Sequence, residues 1–453
     1  GWPSAACRGF VLGSGRVIGD QSLVYQVEQA PGAAAHMHER GDLEEWKARV
    51  SSLCVGNPML ALGVSVAFAG PLLEPLQVDG GGVHFRGESS TGKTTTSRAA
   101  VSVWGAPGLM ATWRATSNGL EGIAAIANSS LLALDEIGEV SAREAGGTAY
   151  MIANGRGKQR AARTGTARPS VTWRTTLLST GEISLADKVA EAGGRTKAGQ
   201  EVRLLDIQCD GRAHGVFDEL HGFDGASDLV DHIRRSTAEI YGGAGPAFVS
   251  KLIEDLPAAV DLARAAIEGF KREAKQSLGL SGEGQTSRAL ERFALIAAAG
   301  ELATAWGLTG WPIGEAKRAA LTGLNIWLDG RGGEGSHEDR QAIERVRDFL
   351  VRHGSSRFEL AGEAKQVDTG LSPVRDRAGW RSGGVFYVAK GVWEKEVHAG
   401  SSPDASARAL KAAGFLVCAA DRLTTKAPRS ASRARCFGVK SSILGDDEGS
   451  PDA

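Results

Sequence analysis

The spacing of apolar and polar positions changes along the chain. Between residues 81 and 210 short apolar runs alternate with helical spacings, which predicts an α/β core on parallel strands. The clearest runs are Val83-His84-Phe85-Arg86, Leu131-Leu132-Ala133-Leu134-Asp135-Glu136 and Trp173-Arg174-Thr175-Thr176-Leu177-Leu178-Ser179-Thr180. From 225 to 350 strand signals nearly vanish. Leu290, Phe293, Ala294, Ala297 and Ala298 recur at helical spacing, as do Ile343, Val346, Phe349 and Leu350. Residues 1–80 read as a mixed lead-in, with a hairpin over 10–18 turning at Gly13-Ser14-Gly15, a helix over 41–54 and an apolar segment over 58–73. A glycine-rich linker over 330–336 precedes a small α+β domain over 337–443. There the pattern predicts a helix to His353, an Arg-rich segment over 373–381, a strand over 384–389, a helix over 404–413 and two late strands around Leu416 and Phe437. The acidic tail, residues 444–453, predicts disorder.

Composition narrows the class. With 453 residues, 42% of them apolar, the chain has room for two to four domains with real cores. Its 52 basic and 53 acidic side chains exclude a polybasic tail protein but leave room for a local basic patch. The five cysteines (7, 54, 209, 418 and 436) lack zinc-finger spacing, which points to reduced thiols and a cytoplasmic protein. No apolar run reaches the ~18 residues of a membrane span, the stretch 59–73 being short and broken by Gly and Pro, so no membrane partner is expected. The opening Gly1-Trp2-Pro3 reads as the start of a fragment.

The strand 83–86 runs into Gly87-Glu88-Ser89-Ser90-Thr91-Gly92-Lys93-Thr94, the phosphate-loop pattern, with Thr95 continuing into a helix. Glycines let the backbone wrap phosphates closely, and the helix N-terminus adds favourable dipole charge. Lys93 would reach the β- and γ-phosphates of ATP, and Thr94 would hold Mg²⁺. The second strand ends in Asp135-Glu136. A buried parallel strand delivers its terminal carboxylates to the sheet edge where phosphates sit, so Asp135 fits the Mg²⁺ shell and Glu136 the general base. The third strand ends in hydroxyls. In ring ATPases a polar residue there orients the attacking water, and either Thr180 or Ser179 suits.

From Ala145 to Gly181 there is no Asp or Glu, while Arg156, Lys158, Arg160, Arg163, Arg168 and Arg174 fall in that stretch. Six unopposed cations would hold a nucleic-acid backbone by counterion release, without sequence preference.

The series GESSTGKTT, SVWG (102–105), TSNGLEGIA (116–124), LLALDEIG, NGRGKQRA (154–161), WRTTLLSTGE (173–182) and KAGQEVRLLDI (197–207) resembles a "domain of unknown function" family found in phage, plasmid and mobile-element primase–helicase proteins. That family is similar to the MCM-type replicative helicases, a hexameric AAA+ group. The resemblance implies an AAA+ phosphate-loop NTPase core over 81–224, a helical lid over 225–331 and a winged-helix-like domain over 337–443. It implies that Arg203 is an arginine finger acting on a neighbouring subunit, and that Arg288, or else Arg292, is a sensor. It also makes the basic stretch, about 154–171, a pre-sensor hairpin whose Lys158, Arg160 and Arg163 touch DNA. Arg375, Arg377 and Arg381 would lie near the second or third helix of the winged-helix-like domain, and Gly119 to Ala125 would begin an abbreviated helix insertion. The chain departs from the MCM pattern by having Ser179-Thr180 in place of Asn, and it carries no zinc site, MCM-type N-terminal domain or primase signature. The implied activity is an ATP-dependent helicase motor of a mobile element or phage, working as a hexameric ring on single-stranded or forked DNA. The other readings are a nucleotide-switched initiator that unwinds nothing and, in third place, a small-molecule kinase.

Overall fold

The computed structural model describes residues 1–26, 32–158, 170–194, 196, 198–280, 284–331, 337–361, 376–398, 402–419, 422–428 and 434–445. The chain divides into two compact units, Gly1–Glu334 and Gly335–Ala453, with the break inside the predicted linker.

In the first unit a small antiparallel hairpin, β1 (Gly9–Val11) with β2 (Val17–Gly19), precedes a five-stranded sheet. The sheet strands are β3 (Gly81–Arg86), β4 (Ala111–Thr112), β5 (Leu131–Asp135), β6 (Thr176–Gly181) and β7 (Leu204–Gln208), all parallel in the order β4-β5-β6-β3-β7. Helices cover both faces, so the strands read as near-continuous apolar runs. The helices are α1 (Leu43–Arg49), α2 (Pro58–Ala69), α3 (Leu73–Leu76), α4 (Lys93–Val101), α5 (Ser117–Ile126), α6 (Ala142–Asn154), α7 (Leu185–Ala190), α8 (Ala198–Glu201), α9 (Ala226–Glu239), α10 (Ala244–Glu254), α11 (Leu256–Leu278), α12 (Gly284–Ala305) and α13 (Glu315–Gly330).

Strand alternation sorts the side chains between the faces. Val83, Phe85, Ala133, Leu178, Leu205 and Ile207 join the core built with α2, α4, α12 and α13. Leu132, Leu134 and Leu177 join Trp113, Leu120, Ile152 and Trp173 on the face covered by α5, α6 and α7. The first core runs from Trp2 to Leu328, so the expected lead-in, α/β core and helical region share one interior. At its centre lies α2, buried from Met59 to Ala69 and apolar all round. Together with the following turns it makes a stretch, Pro58–Leu76, with the length and hydropathy of a membrane span, longer than the sequence reading allowed because Gly70-Pro71 is absorbed in a 3-10 turn. It is 83% buried, the environment of a core helix. The strands β3 and β6 pack without room for a side chain: a Cβ on Gly82 would lie 1.6 Å from the Leu177 carbonyl oxygen.

The second unit contains α14 (His337–His353), β8 (Phe358–Leu360), β9 (Gly379–Ser382), β10 (Val385–Ala389), α15 (Lys390–Val392), α16 (Pro403–Ala412), β11 (Leu416–Val417), β12 (Thr425–Lys426) and β13 (Arg435–Lys440). Its six strands run β11-β13-β10-β9-β8, with β12 also on β13. The core joins Val346, Phe349 and Leu350 of α14 to Phe386, Val388 and Leu410, with Trp393 stacked on Phe437 at 4.4 Å between ring centroids. This is more strand than the winged-helix expectation carried. Arg377 and Arg381 sit at and within β9: Arg377 precedes it, pairs with Glu359 at 2.7 Å and lies over Trp380, and Arg381 is within it over Phe386. The short strands β8 and β9 explain the difference, since runs of three and four residues carry almost no periodicity. Arg375 and the acidic tail beyond Gly445 lie outside the described residues.

Candidate active site

The parallel strands β3, β5 and β6 end at one edge of the sheet. Beyond β3 the chain turns through Ser90 (φ 63°) and Gly92 (φ 100°) into α4. Left-handed positions let a loop curl its backbone closely, as a phosphate-binding loop must, while at its start the Gly87 amide donates to the Gly181 carbonyl at 3.2 Å and the Glu88 amide to Asp210 at 3.2 Å. A Cβ on Gly92 would also lie 2.9 Å from Val216 and Phe217, which press on the loop from outside. Lys93 is nearly buried, and its ammonium donates to the carbonyls of Gly87 (2.8 Å) and Glu88 and to the Thr91 hydroxyl (3.4 Å). None of these partners is an anion, so a buried positive charge faces the loop cavity, which suits a phosphate.

Across from it, the Thr94 hydroxyl donates to both oxygens of Asp135 at 3.3 Å. The Thr180 hydroxyl donates to Asp135 Oδ1 and accepts the Glu136 amide at 3.4 Å. Glu136 is held in the left-handed region at φ 58°, an unfavourable conformation for a non-glycine residue. Three groups fix it there: Thr180; the Gly138 amide, which donates to Glu136 Oε1 at 3.2 Å; and the buried Lys188, whose ammonium donates to the Gly138 carbonyl at 2.8 Å. Among the described residues no group of three or more His, Cys, Asp or Glu is placed to bind a metal. A hydroxyl and one carboxylate beside a phosphate cradle fit Mg²⁺, which takes few protein ligands and completes its shell with phosphate and water.

Two buried networks brace this edge. Asn57, at the head of α2, accepts the amides of Asp218 (2.8 Å) and Glu219 (2.9 Å) and donates to the carbonyls of Leu53 (2.9 Å) and Glu219 (2.8 Å). The segment it anchors reaches the phosphate loop through the Val216 amide, which donates to the Thr91 carbonyl at 2.8 Å. In the sheet, His84 Nε2 lies 3.0 Å from the Ile183 carbonyl, which can only accept, so Nε2 carries the proton. His84 Nδ1 then accepts from the Ser179 hydroxyl at 2.8 Å, and Ser179 in turn accepts the Trp113 indole N–H at 2.9 Å. Burial holds the His84 pKa below the usual imidazole range. Thr180 thus reaches the acids, while Ser179 belongs to the interior.

The other sheet edge gathers arginines. Gly82 pairs with Leu204 and Arg86 with Gln208, so Arg203, just before β7, lies about 20 Å along the strands from the phosphate loop. A cavity of about 580 Å³ there is lined by Arg203, Arg288, Arg292 and Lys271, with Asp79 and Glu291 as its acids. Arg288 and Arg292 are one turn apart on α12, and Arg292 donates to the Val202 carbonyl at 3.3 Å. Burial, reinforced by the Arg203 charge, lowers the Arg292 pKa to about 10.

Residues 1–172 match the model of a domain of unknown function, DUF927. That span includes the phosphate loop, both acids, α6 and Lys158. No curated protein matches the chain. Among solved structures, one named "SCCmec type IV Cch - active helicase" is similar over 96% of this chain and 78% of its own, with a TM-score of 0.67 at 19% identity. The likeness is one of fold and extends over nearly the whole chain.

The described ends of the basic stretch pair antiparallel. After α6, Arg156 bridges Thr172 antiparallel, the Gly157 amide donates to the Val171 carbonyl at 2.9 Å, and the Trp173 amide donates to the Gly155 carbonyl at 2.9 Å. Trp173 therefore belongs to the hairpin base, and β6 starts at Thr176, later than its apolar run suggested. Lys158 is exposed, with its amide donating to Glu121 at 3.1 Å. Arg160, Arg163 and Arg168 lie outside the described residues. Arg174 is not unopposed: it pairs with Glu74 at 2.8 Å. Sequence reasoning missed Asn57, Trp113 and Lys188 as site supports, and the role of His84, because their partners are distant in sequence and none sits in a motif.

Proposed function

We propose that the chain is an ATP-driven DNA motor, an AAA+ helicase related to the MCM type that moves on single-stranded DNA as a ring, six-membered in the family it resembles. The observation that carries this reading is the division of labour between the sheet edges. Lys93, Thr94, Asp135, Glu136 and Thr180 converge at one edge, and three arginines line a cavity at the other, too far away to serve the same phosphates. The fold likeness to a structure named as an active helicase, and the DUF927 match, support the same reading.

The loop from Gly87 to Thr95, including Glu88, Ser89, Ser90 and Thr91, would hold ATP through its backbone and Lys93, and Thr94 with Asp135 would hold Mg²⁺. ATP supplies the transferable γ-phosphoryl group, and Mg²⁺ neutralises charge on its oxygens. Glu136 acts as general base toward the attacking water, with its backbone fixed by Thr180 and the Gly138 turn so that the carboxylate need not reorganise. Arg203 acts across a subunit interface on the neighbour's γ-phosphate, with Arg288 beside it as sensor and Arg292 behind. Lys158, Arg160 and Arg163 contact the DNA backbone.

The test is ATP turnover with and without single-stranded DNA, together with strand displacement on a forked duplex. DNA-stimulated turnover with displacement, both lost in Glu136→Gln, is expected. Stimulated turnover without displacement would make the chain a nucleotide switch, and absence of any DNA effect would leave the motor reading without support.

A further inference from the structure

We infer that Tyr150 is the positioning residue for Arg203, holding its guanidinium ready for the neighbouring subunit; this rests on the finger role proposed above. Tyr150 is on α6 and 41% exposed, unusual for a large ring that fills no core. The Arg203 guanidinium carbon lies over that ring, 4.9 Å from its centroid. An aromatic face attracts a cation without neutralising it, so the guanidinium keeps its charge and free N–H groups for an incoming phosphate. A carboxylate in the same place would hold the arginine more tightly and compete with that phosphate.

The rest of the segment is built to the same end. Arg203 Nη1 donates to the Gly199 carbonyl at 3.0 Å, and the Arg203 amide donates to the Gln200 carbonyl at 3.2 Å. Gln200 donates to the Gly146 carbonyl at 2.8 Å, one turn before Tyr150 on α6. The α8 segment is thereby docked on α6 at two points, one by hydrogen bond and one by ring. Neutral partners fix the backbone and one guanidinium nitrogen, while the ring limits the plane in which the guanidinium can swing. Arginine carries much rotamer freedom, and restricting it beforehand spares that loss when the phosphate is met. The helix that carries the ring ends at the base of the basic hairpin, so finger and hairpin share one rigid support.

The experiment compares Tyr150→Leu, Tyr150→Phe and Arg203→Ala in the full chain. Tyr150→Leu should lower kcat for ATP about fivefold, the weight of an exposed cation–π contact, with KM unchanged. Tyr150→Phe, which keeps the ring face, should retain the wild-type rate. In an Arg203→Ala background Tyr150→Leu should add no further loss. A second readout needs no turnover: the Arg203 Nε–H resonance, assigned by its absence in Arg203→Lys, should be shifted by ring current with Tyr or Phe at 150 and not with Leu. If Arg203→Ala turns over ATP normally, the finger reading falls and the inference with it. If Arg203→Ala is impaired but Tyr150→Leu matches wild type, or Phe is as damaging as Leu, or the resonance does not move, the inference alone is overturned.

Discussion

The two edges of the first unit's sheet are built on opposite principles. At the edge where the strands end, polar groups answer one another within the chain: Thr94 and Thr180 meet on Asp135, Thr180 and Gly138 hold Glu136, and Lys188 holds the Gly138 turn. At the edge where the strands begin, cations gather with few answers. Arg203 is held by a carbonyl and a ring and Arg292 by a carbonyl, and burial together with the Arg203 charge weakens the hold of Arg292 on its proton. The first edge is held in place by partners within one chain. The second sets Arg203, Arg288, Arg292 and Lys271 against two acids, Asp79 and Glu291, and in the function proposed above it is the half that a neighbouring subunit completes.

Two substitutions should separate the edges most sharply. Lys93→Ala removes the buried charge facing the loop and should abolish nucleotide binding itself, as measured by titration with a fluorescent ATP analogue. Arg203→Ala should leave that binding intact and lower turnover about 10³-fold or more, the range for an arginine finger. If Arg203→Ala weakens binding as Lys93→Ala does, the edges are not functionally distinct. The next largest effect is Glu136→Gln, which should bind ATP and hydrolyse it about 10²–10⁴-fold more slowly, since an amide cannot accept the proton. Mixed with Arg203→Ala, it should recover some turnover at interfaces pairing an intact Arg203 with an intact Glu136. Recovery absent at every mixing ratio would exclude action between subunits.

The same contrast decides what was readable in the sequence. The edge that gathers Lys93, Thr94, Asp135, Glu136 and Thr180 was legible because its parts are local: β3, β5 and β6 are apolar runs that end beside these residues, and the loop carries its own glycines. Even there, the choice between Ser179 and Thr180 depended on which face of β6 each occupies, fixed only by pairing His84 with Ser179 across the sheet. The arginine edge was visible only through family resemblance, because Arg203 and Arg288 meet through the packing of α12 near β7 and no spacing announces it. Likewise α2, apolar all round, has no amphipathic face to indicate what it packs against, and Glu74 neutralises Arg174 from 100 positions away. In the second unit the helix to His353, the strand ending at Ala389, the helix from Pro403 and the late strands at Leu416 and Phe437 fall where the pattern placed them, while β8, β9 and β12 went unread because they are too short to carry a period.

A smaller effect is expected from the hairpin. Reversing charge at Lys158 and Arg160 should cost DNA stimulation and unwinding while basal ATP turnover survives. The logarithmic salt slope of single-strand binding should become shallower by about 0.7 for each phosphate that is no longer neutralised. An unchanged slope would detach the hairpin from DNA and leave the edge comparison resting on nucleotide chemistry alone.

The smallest effect concerns the buried relay beneath the phosphate edge. His84 is neutral in the fold, and burial keeps its pKa below the ordinary 6.5. The unfolded chain takes up a proton near pH 6.5, whereas the folded chain resists it. Stability from this group is therefore fully present above about pH 6.5 and is lost as pH falls toward the folded pKa. His84→Gln can still donate to Ile183 or accept from Ser179 but does not titrate. Above pH 7 the variant should be less stable by about 1 kcal/mol, the worth of a hydrogen bond imperfectly replaced. Below pH 6.5 the gap should narrow, because only the wild type suffers the proton-linked loss. Turnover should follow the same course, since the β6 strand that carries Ser179 also carries Thr180 to the acids, whereas the Arg203 resonance at the other edge should not respond to the substitution. Parallel denaturation curves for the two proteins from pH 5 to 8 would show that His84 does not titrate with unfolding, and a moving Arg203 resonance would show that the edges are coupled through β3.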